Sequence, residues 1–98
     1  MTYRLSIRKE AEADIAEAYQ YYESCSEGLG ADFMLCIDEA ISKIQRNPKL
    51  YKVVLRKIRR TLIRRFLYGI YFLLNEDEII VLAVVHARQN PEQWQLRS

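Results

Sequence analysis

Residues 68–86 read Tyr68-Gly69-Ile70-Tyr71-Phe72-Leu73-Leu74-Asn75-Glu76-Asp77-Glu78-Ile79-Ile80-Val81-Leu82-Ala83-Val84-Val85-His86, and this stretch decides the fold. Tyr68, Ile70, Phe72 and Leu74 alternate with Gly69, Tyr71 and Leu73, the period of a β-strand. Asn75-Glu76-Asp77-Glu78 is a polar turn. Ile79 to Val85 is unbroken, apolar and rich in β-branched residues, as expected of a strand covered on both faces. The turn is short, so the two strands form an antiparallel hairpin.

Upstream, Val53 to Leu55 and Ile58 to Phe66 are also strand-like, but heavily basic. Before them Asn47-Pro48 ends a helix, because a residue preceding proline is pushed out of helical geometry. That helix begins near Leu29 and carries the apolar stripe Leu29, Phe33, Cys36, Ile37, Ala40, Ile41 and Ile44. Ser24 to Gly30, with Gly28 and Gly30, separates it from an earlier helix over Lys9 to about Ser24. The earlier helix is apolar at Ala11, Ile15, Ala18, Tyr19 and Tyr22, and Glu10, Glu12 and Asp14 suit its positive end. A short connector predicts an antiparallel helical hairpin. Tyr3 to Ile7 alternates as a first short strand. The 98 residues are therefore expected to form one α+β domain. It should comprise an N-terminal strand, a helical hairpin and a three-stranded antiparallel meander, with the helices on one sheet face. Phe33, Ile37, Ile41 and Ile44 should pack against Ile70, Phe72 and either Val81 or Leu82. The order of strands stays open.

The formal net charge of +2 hides a polarised chain. Lys43, Arg46, Lys49, Lys52, Arg56, Lys57, Arg59, Arg60, Arg64 and Arg65 fall between Glu39 and Glu76, where no acid occurs. From Glu10 to Glu39 there are nine acids and no Lys or Arg. A basic stripe of this density seeks phosphates or an acidic protein surface. Ile79 to Val85 is far too short to span a bilayer, and Met1-Thr2-Tyr3-Arg4 carries no apolar signal region, so a cytoplasmic location is expected. Cys25 and Cys36 match no zinc spacing and read as reduced thiols. No cofactor or metal is expected.

Several residues are candidates for chemistry. Arg56, Lys57, Arg59, Arg60, Arg64 and Arg65 read either as charges that protect a sheet edge or as contacts to a partner. His86 reads either as a strand-end histidine held by a hydrogen bond or as a general base. Tyr68 and Tyr71, beside the arginines, are ordinary strand residues or stacking platforms. The helical carboxylates read as solvated charge. No phosphate loop, nucleophile elbow or HExxH motif is present.

Four stretches together resemble the RelE/ParE toxin superfamily. They are Asp14-Ile15 with Tyr21-Tyr22, Asn47-Pro48, the run Arg59 to Tyr71, and Ala83 to Trp94 with its His86-Ala87-Arg88 and Pro91-x-x-Trp94. The Tyr pair and the Pro91/Trp94 ending are closer to the ParE-like, plasmid-stabilisation branch. The resemblance implies a toxin of a bacterial type II toxin–antitoxin system, bound by a cognate antitoxin as a hetero-oligomer. ParE-like members inhibit DNA gyrase, and the arginines with Arg88 would form that contact. The alternatives are a RelE-like ribosome-dependent mRNA endoribonuclease and a degenerate toxin that only binds antitoxin. The ribonuclease reading would use Arg60, Arg64, Arg65, His86 and Arg88, with the ribosome and mRNA as partners. Against it, Gly69 or Tyr68 falls where a middle-strand arginine belongs. Trp94 stands in place of a C-terminal tyrosine, and an indole N–H is no acid or base at neutral pH. Trp94 is expected to anchor the tail instead.

Overall fold

The computed structural model describes residues 3–87. The expected strand, helical hairpin and meander are present. They comprise β1 (Arg4–Ile7), α1 (Lys9–Cys25), α2 (Leu29–Arg46), a 3-10 turn (Pro48–Leu50), β2 (Val53–Leu55), β3 (Ile58–Ile63), β4 (Tyr68–Asn75) and β5 (Glu78–His86). The strands form one sheet in the order β1-β5-β4-β3-β2. β1 runs parallel to β5, with Arg4 opposite Glu78 and Ile7 opposite Val81, and the other neighbours are antiparallel.

The structure adds detail to the expected meander. Val53–Leu55 is an edge strand of its own, joined to β3 through Arg56-Lys57. β3 stops at Ile63, short of the expected Phe66, because Arg64–Leu67 turn the chain into β4. Leu67 closes that turn at φ 55°, and its carbonyl accepts from Ala87 N at 2.7 Å.

Both helices lie on one face. Phe33, Ile37, Ile41 and Ile44 of α2 and Ala11 and Ala18 of α1 pack with Ile70, Phe72, Ile79, Val81 and Val84. Burying each large side chain of this kind stabilises the fold by about 1.5–3 kcal/mol. Tyr22 is the aromatic hinge of the cluster, with its ring 5.4 Å from Phe33, 4.8 Å from Phe66 and 6.1 Å from Tyr68. Tyr19, expected in this core, is 38% exposed. It lies at the side of the stripe, where its ring covers Gly30. Of the two candidates on β5, Val81 faces the helices. Leu82 belongs to a second cluster with Ile58, Tyr71, Ala83 and Val85. Alternation turns Leu82 away from Val81, and a bulge, in which Tyr71 pairs with Ala83 and Phe72 with Val81, sets Ala83 beside Leu82 on the far face.

The helical connection is tied by one carboxylate. Glu23 accepts from Gly28 N and Gly30 N, each at 3.0 Å, and so caps the start of α2. Gly28 sits at φ 85°, where glycine avoids the Cβ strain of other residues. A Cβ on Gly30 would lie 2.8 Å from the Tyr19 carbonyl oxygen, so only glycine lets α2 approach α1 this closely.

Candidate partner-binding surface

Strand alternation sorts the basic residues by direction. Arg59, Thr61 and Ile63 stand opposite Phe72, Ile70 and Tyr68, which face the helices. Ile58, Arg60 and Leu62 therefore face the other way. This separates Arg59 from Arg60. The Arg59 guanidinium folds back and donates to the Tyr51 carbonyl at 2.7 Å and the Lys49 carbonyl at 3.5 Å. It fastens the 3-10 turn to the sheet. Arg60 is exposed, on the sheet face away from the helices. Arg56 and Lys57 occupy the exposed β2–β3 turn, with Arg56 at φ 50°.

Arg64 and Arg65 follow β3. Arg65 pairs with Asp32 of α2 at 3.2 Å, and its guanidinium carbon lies 5.1 Å from the centre of the Phe66 ring. Lys43 pairs with Glu39 one helical turn back at 3.3 Å. Both pairs are exposed and weak. Among the described residues, Arg56, Lys57, Arg60 and Arg64 make no ion pair. This leaves a basic edge of β2, β3 and their turns.

His86 lies elsewhere. It ends β5 opposite Tyr68, with ring centres 5.4 Å apart. It lines a cleft of about 510 Å3 on the helix side, with Asp14, Glu17, Tyr21, Tyr22 and Tyr68. Burial, reinforced by the neighbouring Tyr22, pushes the Tyr68 phenol up to about 12. Asp14 is not a solvated charge, as the sequence suggested. Its Oδ2 accepts from Val84 N at 3.0 Å, where β5 extends past the end of β1. The available signal was its position among Ala11, Ile15 and Ala18 on the apolar stripe of α1.

The residues named for RNA cleavage are therefore dispersed. Arg60 is on the face away from the helices, His86 is across the sheet beside α1, and Arg65 is held at α2. Arg88 and Trp94 lie outside the described residues. The position expected to hold a middle-strand arginine is filled differently, since the Tyr71 ring covers Gly69 so closely that a Cβ there would sit 3.0 Å from it. Cys25 and Cys36 are free thiols. No helix among the described residues is long and apolar enough to cross a membrane.

Comparison with known proteins addresses the whole of this arrangement. A family model described as the ParE toxin of type II toxin–antitoxin systems, parDE, matches residues 5–91. Toxin ParE2 of Mycobacterium tuberculosis is 27% identical over 92 residues, spanning 93% of this chain and 88% of the relative. A chain of the chromosomal ParDE system from P. aeruginosa superposes with a TM-score of 0.76 at 17% identity, covering 89% of this chain and 98% of that one. A chain of the toxin–antitoxin complex RelBE2 from M. tuberculosis superposes at 0.62 and 15% identity, covering 88% and 99%. At such identities the two structures speak to the fold alone. The family match is different in kind, because it is a match of sequence over residues 5–91, nearly the whole of the described fold. The chain belongs to the ParE toxin family, within the RelE/ParE superfamily, and is a toxin of a type II toxin–antitoxin system.

Proposed function

We propose that this toxin acts by binding and inhibiting DNA gyrase, and that a cognate antitoxin neutralises it by forming a hetero-oligomer with it. The observation that carries gyrase over mRNA is the dispersal of the ribonuclease residues. Cleaving a phosphodiester needs a base and cations within hydrogen-bond reach of one phosphate. Here the sheet stands between Arg60 and His86. An inhibitor needs no such convergence, and unpaired cations along a rigid edge suit it. The ParE family match supports the same branch. P. aeruginosa ParDE and RelBE2 are toxin–antitoxin assemblies, which supports an antitoxin partner. The basic edge and Arg88 form the target contact in this reading, and no cofactor takes part. Gyrase is a cytoplasmic target, and the toxin acts there.

The test is induction of the chain without its antitoxin, alongside a supercoiling assay with purified gyrase. Filamentous cells, damaged DNA and blocked supercoiling are expected. Rapid loss of translation with cleaved mRNA and unimpaired gyrase would replace this reading with the ribonuclease. Normal growth would mean an inert toxin.

A further inference from the structure

The cleft beside His86 joins aromatic rings to carboxylates. Tyr21 and Tyr22 stand nearly edge to face, at 71° with ring centres 5.2 Å apart. Tyr68 meets Tyr22 at 66° and His86 at 85°. Phe33 and Phe66 pack against Tyr22, and Phe33 packs against Tyr68, so these two rings are held in place from the core. Tyr21 is 60% exposed and belongs to the outer wall. Asp14 and Glu17 lie three residues apart on α1 and line the same space. One Asp14 oxygen accepts from Val84 N, whereas Glu17 joins no ion pair among the described residues. No Lys or Arg among the described residues lines the cleft, and its volume of about 510 Å3 is that of a small-molecule site.

We propose that the cleft binds a small alkylguanidinium ligand, whose cation lies among the tyrosine rings and donates to Glu17. A ring face attracts a cation through its quadrupole. A planar, weakly hydrated guanidinium can stack there while its N–H fork meets a carboxylate. Rings already fixed by Phe33 and Phe66 lower the ordering cost of binding. A peptide strand is a poorer occupant, because the Val84 N–H on this flank of β5 is already taken by Asp14. A metal ion is poorer too, since no three His, Cys, Asp or Glu side chains among the described residues converge to hold one. The basic edge lies on other strands, so the inference goes beyond the gyrase reading and does not rest on it.

The probe is butylguanidinium, titrated into the full chain by calorimetry, with butylurea as an uncharged counterpart of the same shape. One-site binding and a raised melting temperature are expected, because a ligand held by the folded chain stabilises it. General denaturation by the guanidinium group would lower that temperature instead. Butylurea should bind about tenfold more weakly or worse. Glu17→Gln and Tyr21→Leu, both at exposed positions, should each weaken butylguanidinium about threefold and leave the melting temperature of the unliganded chain unchanged. If a variant misfolds, the two probes on the unaltered chain still decide. Equal binding of both probes, no binding, a lowered melting temperature, or full affinity in both folded variants overturns the proposal. A capped Gly-Arg-Gly peptide that binds about tenfold tighter than butylguanidinium also overturns it, by giving the cleft to the arginine side chain of a protein. Binding that emerges only in Arg88→Ala does the same, by giving it to the chain's own arginine.

Discussion

The two sides of the sheet end in the same way and are finished differently. β1 has four residues and β2 has three, so each leaves part of the longer strand beside it uncovered. On the β1 side, Arg8 N still donates to Val81 O at 3.0 Å, and further along the Asp14 carboxylate takes the Val84 N–H. On the β2 side, α2 presents Cys36, Glu39 and Ala40 beside the edge, and the Glu39 carboxylate pairs with Lys43 at 3.3 Å instead of taking the N–H of Leu62, which turns outward past the end of β2. A short edge strand therefore does not by itself leave an edge open. What the neighbouring helix presents to the leftover backbone decides whether the edge is closed or open.

The largest expected effect tests whether both sides rest on one core. Phe33 is fully buried, with its ring 5.3 Å from Phe66 and 5.2 Å from Tyr68. Phe33→Ala is expected to lower stability by about 3–5 kcal/mol in a single cooperative melt. A loss below about 1 kcal/mol, or two separate transitions, would break the picture of a shared core.

Asp14→Ala sharpens the comparison directly. It strands a half-buried N–H, and a loss of about 1–3 kcal/mol is expected. Asp14→Asn keeps an acceptor oxygen and should recover most of it. Hydrogen exchange gives the local readout. The Val84 amide should be protected in the original chain and exposed by Asp14→Ala, while Leu62 exchanges quickly in both. Slow exchange at Leu62 would mean that its edge is closed after all.

Adjacent arginines on β3 should separate in the same sense, with a smaller effect. Arg59→Met removes both carbonyl contacts and is expected to lower the unfolding free energy, read from denaturant melts, by about 1–2 kcal/mol. Arg60→Ala should change stability by less than about 0.5 kcal/mol. Similar losses for the two would contradict their assignment to opposite faces.

The smallest effect shows only in alkali. Tyr68 is raised from 10.0 to about 12 in the folded chain, so the unfolded chain releases this proton first. Its contribution is complete below pH 10 and is lost as pH rises through 12. Absorbance titration of tyrosinate should find a late step that Tyr68→Phe reduces, Tyr22 being raised by burial as well. Loss of a group that ionises near the ordinary value of 10.0, with the late step kept, would place Tyr68 in water.

The helical hairpin, the β4–β5 hairpin and the placement of Phe33, Ile37, Ile41 and Ile44 were legible because burial imposes a period on sequence. The side of Leu82 was not, because Ile79 to Val85 is apolar on both faces and so carries no mark of direction, and the bulge that turns Ala83 the same way is a property of pairing between two strands. β2 was visible as a strand-like run, but three residues gave no sign of its place at the edge. At the candidate surface, the charge was legible and its use was not. Arg59 and Arg60 are identical neighbours in sequence, and only the carbonyls at Lys49 and Tyr51, brought close by the turn, give Arg59 its structural role. Asp14 was quoted as part of a motif, yet its bond to Val84 spans 70 residues and needs the fold to exist.

The parallel pairing of β1 with β5 also sets a timetable. β1 is made first, but its partners begin at Glu78, and β5 is hydrogen-bonded on both flanks. On a ribosome the helical hairpin can close early through local contacts. The sheet has to wait for β5, which joins β1 to β4 and emerges last among the described strands. A nascent chain that stops at Asp77 is expected to give no cooperative melt. Nearly the whole toxin must therefore be synthesised before any part of its sheet is durable, which delays the appearance of harmful activity until translation of the described fold is complete.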